Sequence, residues 1–424
     1  MVSKYRWLVF TVFFLFMLVH QADKLLVSPL TTPIMEEFRI DEAQMGAVYS
    51  FAILVAAIFY PIWGYLYDRY TRAKLVALAS FIWGSTTWFN ALAPNYLVFL
   101  VTRGFTGIDD SSYPGIQSLL SDYFEPSMRS RVYGLLAASG PIGYMLGTAL
   151  AVVLGSSFGW RNVFFITGTL GILIAALIFF GVKEVPRGKA EPEMAGLEVI
   201  PTYRFDPKLA RNLFYNPSMR LLFIQGFFGV FPWNVLTYWS FRYLEIERGY
   251  TAADAALVMV AVIVALSLGG ISWGILGDFL FKRTPRGRVL LCTVVVFLGA
   301  ISLFAGLSVP KESRELFLML ISLTAFIIPV GSSNVTAIIQ DIIEPEVRST
   351  AQAVQGFIEN SGSALAPFIA GLIAVQSSLQ VAILTIGVST WILCSIFFGI
   401  LAIRVKKDME RLRLIMRDRA KMVK

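Results

Sequence analysis

The sequence predicts an all-α membrane protein, with twelve transmembrane helices in two six-helix, pseudo-symmetric halves. Three observations predict it. The chain is 56% hydrophobic and only 15% charged over 424 residues. Apolar stretches of about 20 residues recur from end to end, the length that crosses a bilayer as a helix. Two motifs of the first half return in the second.

Apolar windows between charge clusters place the spans at 6 to 28, 43 to 67, 74 to 93, 95 to 122, 130 to 155 and 160 to 182, then at 218 to 244, 253 to 281, 287 to 309, 315 to 341, 349 to 374 and 378 to 403. The first is long, starts after five residues and has no small-residue cleavage site, so it reads as a retained helix with Met1 beginning the mature chain. The second closes on Trp63-Gly64-Tyr65-Leu66-Tyr67-Asp68-Arg69, which returns as Trp273-Gly274-Ile275-Leu276-Gly277-Asp278-Phe279 at the close of the eighth. The fourth ends in Asp122-Tyr123-Phe124-Glu125-Pro126-Ser127-Met128-Arg129-Ser130, echoed after the tenth by Asp341-Ile342-Ile343-Glu344-Pro345-Glu346-Val347-Arg348-Ser349. In the fifth, Gly140-Pro141 with Gly143 and Gly147 suits close packing and a bend. The expected divisions are therefore an N-terminal half at 1 to 182, a linker at 183 to 217 broken by Pro186, Pro192, Pro201 and Pro207, a C-terminal half at 218 to 403, and a basic tail at 404 to 424. The tail reads as solvated or headgroup-associated.

Lys and Arg placement sets the orientation, because cationic loops resist translocation. Of the 36 basic residues, 28 fall at the N-terminus, in the even-to-odd connections and in the tail; Arg39, Arg161, Arg242, Arg248, Lys311 and Arg314 lie opposite, and Lys24 and Arg103 lie inside spans. Both termini are expected in the cytoplasm. The net charge of +8 follows from that asymmetry and needs no nucleic-acid partner.

At these residues the chain resembles the major facilitator superfamily over essentially its whole length. Gly64, Asp68, Arg69 and Arg72 lie in a stretch similar to the family's cytoplasmic loop motif, Arg103-Gly104 with Gly107 resembles its fourth-helix motif, and Gly140-Pro141 its fifth-helix motif. The resemblance implies the major facilitator fold and a cytoplasmic gate at Gly64, Asp68, Arg69 and Arg72. Asp278 repeats the gate position with Phe279 in place of the following Arg, implying a weaker second latch; a plain topological anchor is the alternative for both. Two stretches look more like the Spinster branch. His20-Gln21-Ala22-Asp23-Lys24 sits where that branch has an Asp-Arg pair, and Gly107-Ile108-Asp109-Asp110-Ser111-Ser112-Tyr113 where it has Gly-Ile-Gly-Glu-Ala-Ser-Tyr. Carried over by position, Asp110 is the proton-titrating carboxylate, Arg103 its basic partner, and Asp23 with Lys24 the helix-one charge pair.

The residues carry a reading of their own. Charges inside an apolar span must be paired, wet or functional. On a continuous helix Arg103 and Asp110, seven residues apart, differ by about 20° around the axis and share a face. His20 and Lys24, four apart, also face together. Asp109 is a further acid at that depth. These groups make either a static network or a proton-coupling site, in which Asp110 exchanges a proton as its distance from Arg103 changes. His20, the sole histidine, is either a coupling residue or a packing group. In the second half Glu359 is a second coupling candidate or a satisfied helix-to-helix bond. Asn234, Asn334 and Asn360, with Trp233 and Tyr113, are candidates to line a substrate path, against an interfacial-belt role for the aromatics.

Catalytic readings lack their parts: there is no phosphate-binding loop, no Gly-x-Ser-x-Gly and no metal-ligand spacing. The expectation is a proton-coupled secondary transporter, not an enzyme, powered by a proton gradient without a bound cofactor or metal. It works by alternating access as a monomer in a bacterial inner membrane, with its substrate near the midplane between the halves. That substrate is an amphipathic anion such as a lysophospholipid, its headgroup held by Arg103 or Lys24. A small soluble organic anion is the alternative, and a non-transporting sensor or channel the reading from another class.

Overall fold

The computed structural model describes residues 2–110, 113–186, 213–343 and 348–423; Ser111, Ser112 and most of the expected linker lie outside them. The described residues form fifteen α-helices and no strand. The first set is α1 Val2–Leu26, α2 Thr31–Phe38, α3 Glu42–Arg69, α4 Arg72–Leu92, α5 Tyr96–Phe105, α6 Tyr113–Tyr123, α7 Pro126–Phe158 and α8 Trp160–Gly181. The second is α9 Pro217–Arg242, α10 Ala252–Arg283, α11 Gly287–Ser308, α12 Arg314–Ile327, α13 Val330–Ile342, α14 Arg348–Gln376 and α15 Leu379–Val423. The chain divides into two compact units, Met1–Tyr203 with Thr251–Ala256, and Arg204–Tyr250 with Leu257–Lys424.

Eleven helical stretches of the described residues are long and apolar enough to cross a membrane. The expected fourth span is not continuous, which corrects the reading of 95 to 122 as one helix. After α5 a 3₁₀ turn covers Thr106–Ile108, and α6 begins at Tyr113. The sequence carries the cause. Pro114 lacks the N–H that would bond back one turn, its ring clashes with the carbonyl four residues earlier, and it is tolerated in the first turn of a new helix. Gly107 seats the turn against α3, where an added Cβ would strike the Ala52 carbonyl. The tenth span breaks in the same way, between α12 and α13 at Pro329.

Each break is held by the tryptophan of the repeated motif. Trp63 of α3 donates from its indole N–H to the Ile108 carbonyl, and Trp273 of α10 donates to the Phe326 carbonyl at 2.7 Å. Carbonyls at helix ends have no partner within the helix, so an indole N–H at each satisfies a group otherwise costly in an apolar interior.

In the first unit α4 packs on α8 with Gly84 against Gly168, and α1 packs on α7, where Gly143 and Gly147 meet the backbone at Leu18 and Ala22. In the second, α9 and α11 pack on α15, and α9 also on α14. The basic tail is not wholly solvated. It prolongs α15, Val405, Met409 and Leu412 are buried, and Ser218 donates to Asp408.

Candidate functional site

Helix α1 sets three polar side chains on one side, His20, Asp23 and Lys24, at the i, i+3 and i+4 spacing. The break after α5 brings two consecutive aspartates to them. His20 Nε2 lies 2.6 Å from Asp109 Oδ2, and Lys24 Nζ donates to Asp110 Oδ2 at 2.6 Å. The Phe16 ring stacks on the imidazole with centroids 5.6 Å apart, and Trp83 meets it edge-on at 5.2 Å.

Arg103 does not pair with Asp110, as the shared-face reading expected. The break makes the seven-residue spacing irrelevant. Its Nη1 instead lies 4.0 Å from Asp23 Oδ2, and its Nη2 donates to the Lys24 carbonyl at 3.1 Å. Asp23 also accepts from Trp83 Nε1 at 2.9 Å, Thr87 Oγ1 at 3.2 Å and Thr167 Oγ1 at 2.6 Å. These three partners, from α4 and α8, were missed in the sequence because lone Trp and Thr residues in apolar spans have no distinguishing spacing.

The three pairs differ in exposure. Side chains are 7% and 0% exposed in His20–Asp109, 6% and 2% in Arg103–Asp23, but 34% and 21% in Lys24–Asp110. The Lys24–Asp110 pair is therefore the more exposed of the three. Tyr113, half-buried, packs instead against the core cluster that contains Trp63, Tyr67 and Phe124.

In the second unit Glu359 of α14 accepts from Gln355 Nε2 at 2.7 Å on its own helix. Asn234 donates to the Val230 carbonyl and to Ser363 Oγ, both at 2.9 Å, and Asn334 donates to the carbonyls of Val330 at 3.0 Å and Trp273 at 3.3 Å. Both asparagines bond helix to helix. Asn360 and Trp233 are exposed.

Among the gate residues, Arg72 at the start of α4 is buried and bonds Asp122, Glu184 at 2.7 Å and the Val185 carbonyl at 2.9 Å. Glu184 also caps α4 by accepting from the Ala73 N–H at 3.0 Å. Arg69 is exposed over the Tyr65 ring, Gly64 has open space at its Cα, and the side chain of Asp68 lies outside the described residues. Asp278 pairs with Arg288 at 2.6 Å, and Arg288 reaches Asp341 at 2.6 Å. The partner of Asp278 is thus the arginine in the first turn of the next helix, in a clamp more exposed than that of Arg72.

The Major Facilitator Superfamily family model matches residues 12–367. The chain belongs to the Major Facilitator Superfamily. Protein spinster homolog 1 of Xenopus laevis is 26% identical over 377 residues, covering 85% of this chain and 71% of that protein. The cis,cis-muconate transport protein of Acinetobacter baylyi is 26% identical over 401 residues, covering 92% and 93%. A crystal structure of a bacterial homolog to the human lysosomal transporter Spinster, inward-facing and occupied, superposes with a TM-score of 0.74 at 19% identity, over 96% of this chain and 97% of that one.

This major facilitator is Spinster-like, an integral membrane protein whose relatives are transporters and not enzymes. Cys292 and Cys394 are buried and unpaired. What its N-terminal cluster can do chemically is bind an anion at a lysine and hold protons on carboxylates and an imidazole.

Proposed function

We propose that the chain is a proton-coupled secondary transporter of an organic anion, working by alternating access. The Lys24–Asp110 pair carries this reading, as the exposed pair in an otherwise closed charge cluster. An anion that enters competes with Asp110 for Lys24. A carboxylate deprived of its cation in a low-dielectric site takes up a proton in preference to standing alone as a charge. Anion and proton then occupy the protein together, and helix movement that restores the Lys24–Asp110 pair expels both. The excess of Lys and Arg on one side supports cytoplasmic termini, in a bacterial inner membrane.

The amphipathic reading of the substrate, a lysophospholipid, uses Lys24 for the headgroup phosphate and apolar walls for the tail. The muconate relative, matched over 93% of its length, supports a small soluble organic anion as the second reading. Uptake of labelled lysophospholipid and of labelled cis,cis-muconate into proteoliposomes, with and without an imposed pH gradient, separates them. Gradient-driven uptake that Asp110→Asn abolishes is the expected result. Uptake indifferent to the gradient removes proton coupling, and no uptake of either probe above empty liposomes favours the sensor reading.

A further inference from the structure

We infer that His20 and Asp109 form a second proton site, occupied at rest as an imidazolium–carboxylate pair and separate from Asp110. The charges of one cluster do not balance without it. Asp23 lies beside Arg103 and is approached by three neutral hydrogen-bonding groups at its two oxygens, and it is counted as a carboxylate. Lys24 bonds Asp110, and Arg103, always charged, stands 4.0 Å from Asp23 and donates to the Lys24 carbonyl. That leaves three carboxylates against two permanent cations.

The uncompensated acid is Asp109. It is fully buried, and its Oδ1 has no hydrogen-bond partner among the described residues. A bare carboxylate in such a place costs several kcal/mol. Among the described residues nothing else near it supplies the missing charge. From α1 come Asp23 and Lys24, from α3 the phenol of Tyr67, from α4 the Trp83 indole and Thr87 hydroxyl, from α5 Arg103, from the break Asp110, and from α8 the Thr167 hydroxyl. On α7, Gly143 and Gly147 meet the α1 backbone at Leu18 and Ala22. Among the described groups His20, 2.6 Å away, is the one that supplies a positive charge by taking a proton.

The resting cluster is then neutral, with three charges of each sign. This has a consequence that rests on the proposed transport reading. A bound monoanion adds one negative charge, so one further proton, on Asp110, restores neutrality. Cotransport of a monoanion is electroneutral, and the two proton sites have separate duties: one completes the resting cluster and one travels with the cargo.

The sole histidine makes the test direct, since a ring labelled with ¹⁵N gives a single residue's signal. In lipid nanodiscs at neutral pH, without ligand, the expected spectrum is that of a doubly protonated ring, converting to a neutral ring in Asp109→Asn. A neutral ring in the natural sequence overturns the inference, as does a cationic ring unchanged in Asp109→Asn. Should that variant fail to fold, His20→Gln takes its place, read by infrared spectroscopy. Loss of the histidine obliges one carboxyl to become protonated, and its carbonyl band, absent from the natural sequence, appears; no new band overturns the inference. Neither readout involves uptake, so failure of the transport reading and failure of this one are distinguishable.

Discussion

Asp23 and Asp110 sit in one cluster within different surroundings, and their asparagine variants differ in kind. Asp23 bonds Trp83, Thr87 and Thr167 and stands beside Arg103. In Asp23→Asn the amide N–H₂ points a donor at donors, and a buried guanidinium loses its counter-charge, at a cost of about 3–5 kcal/mol. The expected outcome is a lower thermal unfolding temperature in detergent or lost accumulation. Asp110→Asn, at the wetter pair, is expected to fold and bind yet to lose its response to a pH gradient, read by uptake beside equilibrium binding. The anion-binding test belongs at Lys24. Lys24→Gln is expected to weaken binding of an anionic probe roughly tenfold or more, the scale of a lost charge-assisted bond, whereas Arg103→Ala acts on stability because Arg103 is closed in by Asp23 and the Lys24 carbonyl.

At the scale of elements, the two broken spans and the two arginine clamps recur because the motifs recur. Trp63→Phe keeps an aromatic ring but leaves the Ile108 carbonyl unpaired, for an expected loss of about 1–3 kcal/mol measured by unfolding. The clamps are unequal. Arg72 and Asp122 are 1% and 7% exposed, whereas Arg288, Asp341 and Asp278 are 14%, 24% and 66% exposed. Removing Arg72 strands the buried Asp122 and is expected to cost several kcal/mol, against about 1 for Arg288→Ala; equal losses would argue against burial as the cause. Span order and the repeat were legible because bilayer crossing forces long apolar runs. The breaks were legible in principle, since Pro114 and Pro329 are helix stops, but an unbroken apolar window concealed them. Partner choice was not legible. Adjacent Asp109 and Asp110 turn to different residues of α1 only because the backbone there is no longer helical, and Arg72 joins Asp122 and Glu184 from positions 50 and 112 residues away.

For the whole molecule, the distinguishing quantity is the charge carried per transport cycle. If the cluster is neutral both with and without cargo, the number of protons moved equals the number of negative charges on the anion. A monoanion accompanied by one proton moves no net charge, so a potassium diffusion potential imposed on proteoliposomes leaves its uptake unchanged, while an inward pH gradient drives accumulation. A dicarboxylate poses a sharper case. Asp110 offers one site for a travelling proton, and the His20–Asp109 proton is committed to the resting cluster, so a dianion crosses with one negative charge left over. Its uptake is expected to accelerate when the compartment it enters is made positive. Measuring both anions under each gradient separately tests the coupling scheme without assuming which is the natural cargo. A monoanion flux that follows the membrane potential would mean that the cluster changes its net charge during the cycle, and the resting proton on His20–Asp109 would then have to travel as well.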